Sequence, residues 1–285
     1  MLKKTHSVRK LCRILSVSET GYYKWKRNRN RSKAWQVLLK VILEIIAEHP
    51  ENHNYGIDRI VTALEQRGIK KSRSTVARTM RKGNLVHESH RSPDGLTKSD
   101  KKAQRPENII SRDFTADREN QKWLTDITQI PCKDGKLYIA PVLDCFGGEI
   151  ISVAMDSNMK KELCIKAMKD AFKTRRPAPG VICHSDAGSQ YTSLEYREFI
   201  AGKGGIQSMS DVGKCYDNSR MESFFATLKK EKLYQLNTTK MTVEEVKTEV
   251  WRFIQYYNRI RICTFNEGGY PPSIYREMAA LKQAA

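Results

Sequence analysis

What most constrains this chain is a change of period near residue 120. Before it, apolar residues recur at helical spacing. After it come β-like runs: KWLTDITQIP, then KLYIAPVLDCFGGEIISVAMDS, which reads as two strands joined at Gly147 and Gly148. KELCIKAMKDAFKT follows as an amphipathic helix, GVICHSD as a buried strand, LEYREFIAGKG as a helix and IQSMS as a short strand. Three strands, helix, strand, helix, strand predict an α/β body with a mixed five-stranded sheet flanked by helices. Two more helices are expected, in YDNSRMESFFATLKKEKLY and TVEEVKTEVWRFIQYYNRIR, the second with Val243, Val246, Val250, Phe253 and Tyr257 as its core stripe.

The part before residue 120 reads as all-helical. SVRKLCRILSVSETGYYKWKR looks like two short helices about a turn, with Leu11, Ile14 and Leu15 as an apolar face and Ser18 as a cap. AWQVLLKVILEIIAEHP forms a longer helix. YGIDRIVTALEQRG and SRSTVARTMRKG then make a helix-turn-helix pattern, each ending at a glycine. Its second helix carries Arg73, Arg78, Arg81 and Lys82, placed to enter a major groove. Lys24, Lys26 and Arg27 are the corresponding cations of the first pair.

Charge separates the two halves. The whole chain carries +19, yet 25 of its 51 Lys and Arg and only 9 of its 32 Asp and Glu lie in residues 1–105. A polyanion partner for the front half follows, with simple solubility as the bland alternative. Seven widely spaced cysteines without a CxxC pair read as reduced thiols. The most apolar run, VLLKVILEIIA, is interrupted by Lys40 and Glu44 and falls short of a membrane span, so a cytoplasmic protein is expected, nucleoid-associated when on DNA.

Three acids stand out in the second half. Asp126 follows Trp123 and Leu124 in a strand that should be central, where an uncompensated carboxylate costs several kcal/mol. Asp186 sits where the strand VICHSD must turn at Ala187 and Gly188, and Glu222 lies near a helix start capped by Asp217 or Asn218. Each has a structural explanation: a buried ion pair, an Asx turn, a first-turn acid favoured by the helix dipole. Together they can converge on hard cations such as Mg2+ or Mn2+.

TDIT, HSDAGSQY and DNSRMESFFATLKKE resemble the motifs of insertion-sequence DDE transposases of the OrfB type, whose catalytic domain is like a retroviral integrase core. The helix pair YGIDRI…RGIKKSRSTVARTMRKGNL and the tail YYNRIRI…GGYPPSIYRE extend the resemblance over most of the chain. The 35 residues between Asp186 and Glu222 match the family's spacing. The resemblance implies an RNase H-like fold and a division into helix-turn-helix modules at 1–30 and 31–89, a basic linker at 90–118, a catalytic domain at 119–235 and a helical extension at 236–285. It implies Asp126, Asp186 and Glu222 as catalytic metal ligands, Asp126 bridging two cations and the others binding one each. Two cations roughly 3.5–4 Å apart activate the attacking oxygen, stabilise the leaving oxygen and neutralise the phosphate. The implied activity is binding of terminal inverted repeats, 3′-end cleavage and strand transfer. Where many relatives carry a histidine, this chain has Cys263, so no role for that histidine is carried over.

Lys229 stands seven positions after Glu222, about 700° and about 10.5 Å along a helix, and so projects from nearly the same face toward DNA; a solvated lysine is the alternative. His184 and Asn218 are candidates for groups supporting the acids, although capping is the simpler role for Asn218. Phe224 and Phe225 read as core anchors. Expected partners are double-stranded DNA, further copies of the chain in at least a dimer, and an OrfA protein or frameshift fusion. Two other readings remain open: an RNase H or resolvase-type nuclease, and a DNA-binding regulator that no longer cuts.

Overall fold

The structure, a computed structural model, describes residues 7–29, 33–86, 106–211 and 215–284. The helical front consists of α1 (Val8–Ile14), α2 (Glu19–Asn28), α3 (Ala34–Ala47), α4 (Ile57–Gln66) and α5 (Arg73–Lys82). Ser7, Ser18 and Ser72 cap α1, α2 and α5 by accepting from the backbone N–H groups of Lys10, Gly21 and Thr75. The expected apolar face of the first pair is not packed: Ile14 and Leu15 are 66% and 68% exposed, and Cys12 alone in α1 is buried. Two helices this short have too little facing surface to bury both. Gly83 ends α5 without a left-handed turn; a Cβ there would meet Leu39 Cδ1 at 2.6 Å, so the glycine permits close approach to α3.

The body begins with β1 (Lys122–Thr125), β2 (Thr128–Cys132), β3 (Gly135–Asp144) and β4 (Ile150–Asp156), followed by α6 (Lys161–Arg175), β5 (Ile182–Ser185), α7 (Ser189–Thr192), α8 (Leu194–Gly202) and β6 (Ile206–Met209). Then come α9 (Ser219–Glu231), α10 (Val243–Arg259) and α11 (Pro272–Ala284). β3 pairs antiparallel with both β4 and β1, while β1, β5 and β6 are mutually parallel. β1 and β2 pair with β3 in one unshifted register, Thr125 opposite Val142 and Thr128 opposite Ile139. The six segments are therefore the five expected ribbons, one of them interrupted at Asp126 and Ile127. The interruption has a local cause. In the shared register Asp126 falls opposite Pro141, which has no N–H, and the Ile127 N–H is drawn to Asp126 Oδ1 at 2.7 Å.

Helices cover both faces of the sheet. Trp123, Val142 and Cys183 pack with α6 and α8, where Trp123 meets Phe172 edge-on at 5.0 Å. Leu124, Ile139 and Leu143 pack with Phe224 and Phe225 of α9 and with the stripe of α10, all five of whose expected residues are buried. The same apolar cluster continues into Leu38, Ile42, Ile60 and Met80 of the helical front. Polar bonds reinforce that junction: Tyr256 Oη donates to Asn52 Oδ1 at 3.1 Å, and the Ile262 N–H donates to Tyr55 Oη at 3.0 Å. Among the described residues no helix is long and apolar enough to cross a membrane.

Candidate active site

The parallel register of β1 and β5 builds the site. Leu124 pairs with His184, so two residues further on Asp126 and Asp186 leave the ends of adjacent strands side by side. Neighbouring strands lie about 4.8 Å apart, which brings the two carboxylates close. Asp186 folds into its own turn, Oδ1 accepting from the Gly188 N–H at 3.1 Å; a Cβ on Gly188 would sit 3.0 Å from that oxygen. The Asx turn and a ligand role are thus compatible, since the turn engages only Oδ1 of the two carboxylate oxygens.

Burial pushes the Asp126 carboxyl well above its ordinary pKa, and the charge of Asp186 pushes it further; the Ile127 N–H opposes, Glu222 adds to the rise and Lys229 opposes it. Burial also raises Asp186, against the Gly188 N–H, and raises Glu222. Lys229 is lowered by burial and partly restored by Asp126. Asp126 thus feels the charges of Asp186, Glu222 and Lys229, and Lys229 feels that of Asp126 in return. Glu222 lies in the first turn of α9 with an exposed side chain, and among the described residues no three His, Cys, Asp or Glu groups are gathered closely enough to form a ready-made metal cage. The donor chemistry nevertheless suits a hard divalent cation: all-oxygen, acidic, and electrostatically penalised without positive charge. No ion pair holds Asp126 among the described residues.

Asn218 does not cap α9. At the N-cap position it makes no capping bond; Nδ2 donates instead to the Thr125 carbonyl at 3.2 Å, and its buried Oδ1 has no partner. The reason is geometric: the strand end beside Asp126 offers a buried carbonyl that needs a donor. His184 faces away from ligation. Nε2 donates to the Asp217 carbonyl at 3.0 Å, so Nδ1 accepts from Ser208 Oγ at 2.8 Å, and that oxygen accepts from the Ile109 N–H. Burial lowers its pKa to about 4, against the Asp217 carbonyl bond. Tyr191 was not singled out by sequence reasoning, yet its hydroxyl meets Thr125 Oγ1 at 3.2 Å beneath the acids. Its place five residues after Asp186, in the motif HSDAGSQY, was the available signal.

The cations of the helical front are exposed but not equivalent. Arg73 is held by Asp58 at 2.6 Å, and Lys82 lies 5.2 Å from the centroid of the Trp35 ring. Arg78 and Arg81 sit on the exposed side of α5 with no carboxylate at ion-pair distance among the described residues. Lys24, Lys26 and Arg27 are exposed on α2.

Comparison with known families matches residues 116–215 and 204–262 to the integrase core domain and residues 33–92 to an HTH-like domain. The chain is 34% identical to the uncharacterized 31 kDa protein of insertion element IS600 from Shigella sonnei, covering 94% of this chain and 97% of that one. It is 30% identical to the putative transposase InsK for IS150 of Escherichia coli K12 over 96% and 95% of the two chains. It is 31% identical to the transposase InsF for IS3A of the same strain over 90% and 89%.

Proposed function

This chain belongs to the insertion-sequence transposases with an integrase core, enzymes of the DDE polynucleotidyl-transferase type, and on that premise we propose that it cuts DNA 3′ ends at its element's terminal inverted repeats and joins them to target DNA. The observation that carries the reading is the pairing of Asp126 with Asp186 at the ends of parallel strands, with Glu222 and Lys229 in electrostatic reach. Asp126, Asp186 and Glu222 would hold two Mg2+ or Mn2+ ions, which supply charge neutralisation and an acidified attacking hydroxyl when bound. The side chains divide the remaining work. Lys229, on the face of α9 that also carries Glu222, meets the phosphate backbone. Asn218 and Tyr191 hold the strand end at Thr125 and so fix where Asp126 points. α5 enters a major groove with Arg78 and Arg81 forward, and the module at 33–86 delivers the element end to the site.

Joining two ends calls for at least two copies of the chain on DNA in the bacterial cytoplasm, alone or with an OrfA partner. The test is a joining assay on duplexes carrying the inverted repeats that flank the coding sequence, with Mg2+ or Mn2+. Asp126→Asn, Asp186→Asn and Glu222→Gln should each abolish joining while retaining end binding; joined product persisting in all three would sink the assignment.

A further inference from the structure

On the side of α9 away from the acids lies a cleft of about 630 Å³, within the roughly 300–1,000 Å³ common for small-ligand sites. At roughly 100° per residue, Ser219, Ser223 and Thr227 form a stripe about 60–140° around α9 from Glu222, and Arg220 follows at about 160°. All four line the cleft. Arg220 Nη1 donates to the Phe114 carbonyl at 3.2 Å, and its guanidinium lies 4.3 Å from the centroid of the Phe265 ring. Among the described residues no carboxylate stands at ion-pair distance from Arg220. Gly148 makes room for this cation: a Cβ there would approach Arg220 Nη2 to 3.2 Å. Phe265 is 69% exposed, and its ring, with Arg220 on it, is open to a flat ligand. Arg112 lines the same cleft while bonded to Asp217.

We propose that this cleft holds one unpaired nucleotide of the DNA strand being processed, its phosphate on Arg220 and the α9 hydroxyls, its base against Phe265. The chemistry is matched on both sides: a guanidinium edge for the phosphodiester and an exposed aromatic face for the base. Placement supports it. An α-helix with its side chains is about 10–12 Å across, so a strand leaving the acids has one helix width to pass before it reaches the cleft. The cleft admits a nucleotide extruded from the helix, not a duplex. This rests on the reading that the three acids mark the scissile phosphate.

The test is equilibrium binding by the full chain, in chelator so that no cutting occurs, to a blunt duplex and to the same duplex with one end left unpaired over a few nucleotides. The wild type should prefer the unpaired end by about tenfold, Phe265→Ala and Arg220→Gln should each remove that preference with blunt-duplex affinity held within about twofold, and Phe265→Trp should retain it. Equal wild-type affinity for the two duplexes, a preference surviving in Phe265→Ala, or an equal loss of blunt-duplex binding overturns the proposal. Phe265 is exposed, so its truncation leaves the fold intact. Because the readout is binding without metal, its failure is distinct from failure of the acids in the joining assay.

Discussion

Asn218 Nδ2 donates to the Thr125 carbonyl at 3.2 Å, tying the start of the helix that carries Glu222 to the strand residue just before Asp126. Two of the three acids are therefore joined through one side-chain amide. Asn218→Ala leaves the buried Thr125 carbonyl without a donor, at a cost of about 1–3 kcal/mol. We expect a lower melting temperature, joining reduced by at least about tenfold beyond what that stability loss explains, and unchanged end binding. Equal joining by wild type and Asn218→Ala under conditions where both are fully folded would show that the tie is merely structural.

Glu231 fastens the helical front to the body. Burial alone would raise its pKa, but Arg261, bonded at 2.8 and 2.9 Å, and Arg59, at 3.0 Å, hold it below the ordinary carboxylate value. Glu231→Gln leaves two largely buried guanidiniums short of a countercharge, and breaking such a group costs about 3–5 kcal/mol. Chemical denaturation should report a loss of that order. A double substitution with Arg59→Met should recover part of it, and no recovery would mean that Arg59 is not energetically coupled to Glu231.

The folded pKa of His184, about 4, lies below its ordinary 6.5. The unfolded chain therefore binds the extra proton first as pH falls, and folding stability is lost from about pH 6.5 down to about pH 4, amounting to about 3 kcal/mol in all. Above pH 6.5 this contribution is fully present. Urea midpoints measured across that range should fall toward acid in the wild type and flatten in His184→Gln; identical slopes would assign the acid sensitivity to other groups.

Arg78 and Arg81 project from α5 without an acidic partner among the described residues, whereas Arg73 is engaged by Asp58. Arg78→Ala and Arg81→Ala should each lower the slope of log affinity against log salt by about one, with Arg73→Ala smaller because its charge is already partly compensated. Equal effects at all three positions would mean that the Asp58 pair opens on DNA.

Much of the fold was legible in the sequence because it is recorded locally. The continuous apolar run of KLYIAPVLD marks a strand buried on both faces, and the stripe of Val243, Val246, Val250 and Phe253 reports which face of its helix is buried, whatever that face meets. Where local signals misled, long-range contacts decided. Leu11, Ile14 and Leu15 have the spacing of an apolar face, but Ile14 and Leu15 stay exposed, with nothing large enough among the described residues to pack on them. Asn218 has the residue type and place of a cap, yet a carbonyl 93 residues away takes its amide.

The sequence by itself determined the element types, the basic front and the acids worth suspecting, since periodicity, charge and residue chemistry are properties of neighbours along the chain. Tertiary structure alone decided that Asp126 and Asp186 stand abreast, that the helical front shares an apolar core with the body, and that α9 separates the acids from an arginine-lined cleft. Those relationships depend on strand register and helix docking, which are set by packing between segments 60 or more residues apart and leave no trace in any short window of sequence.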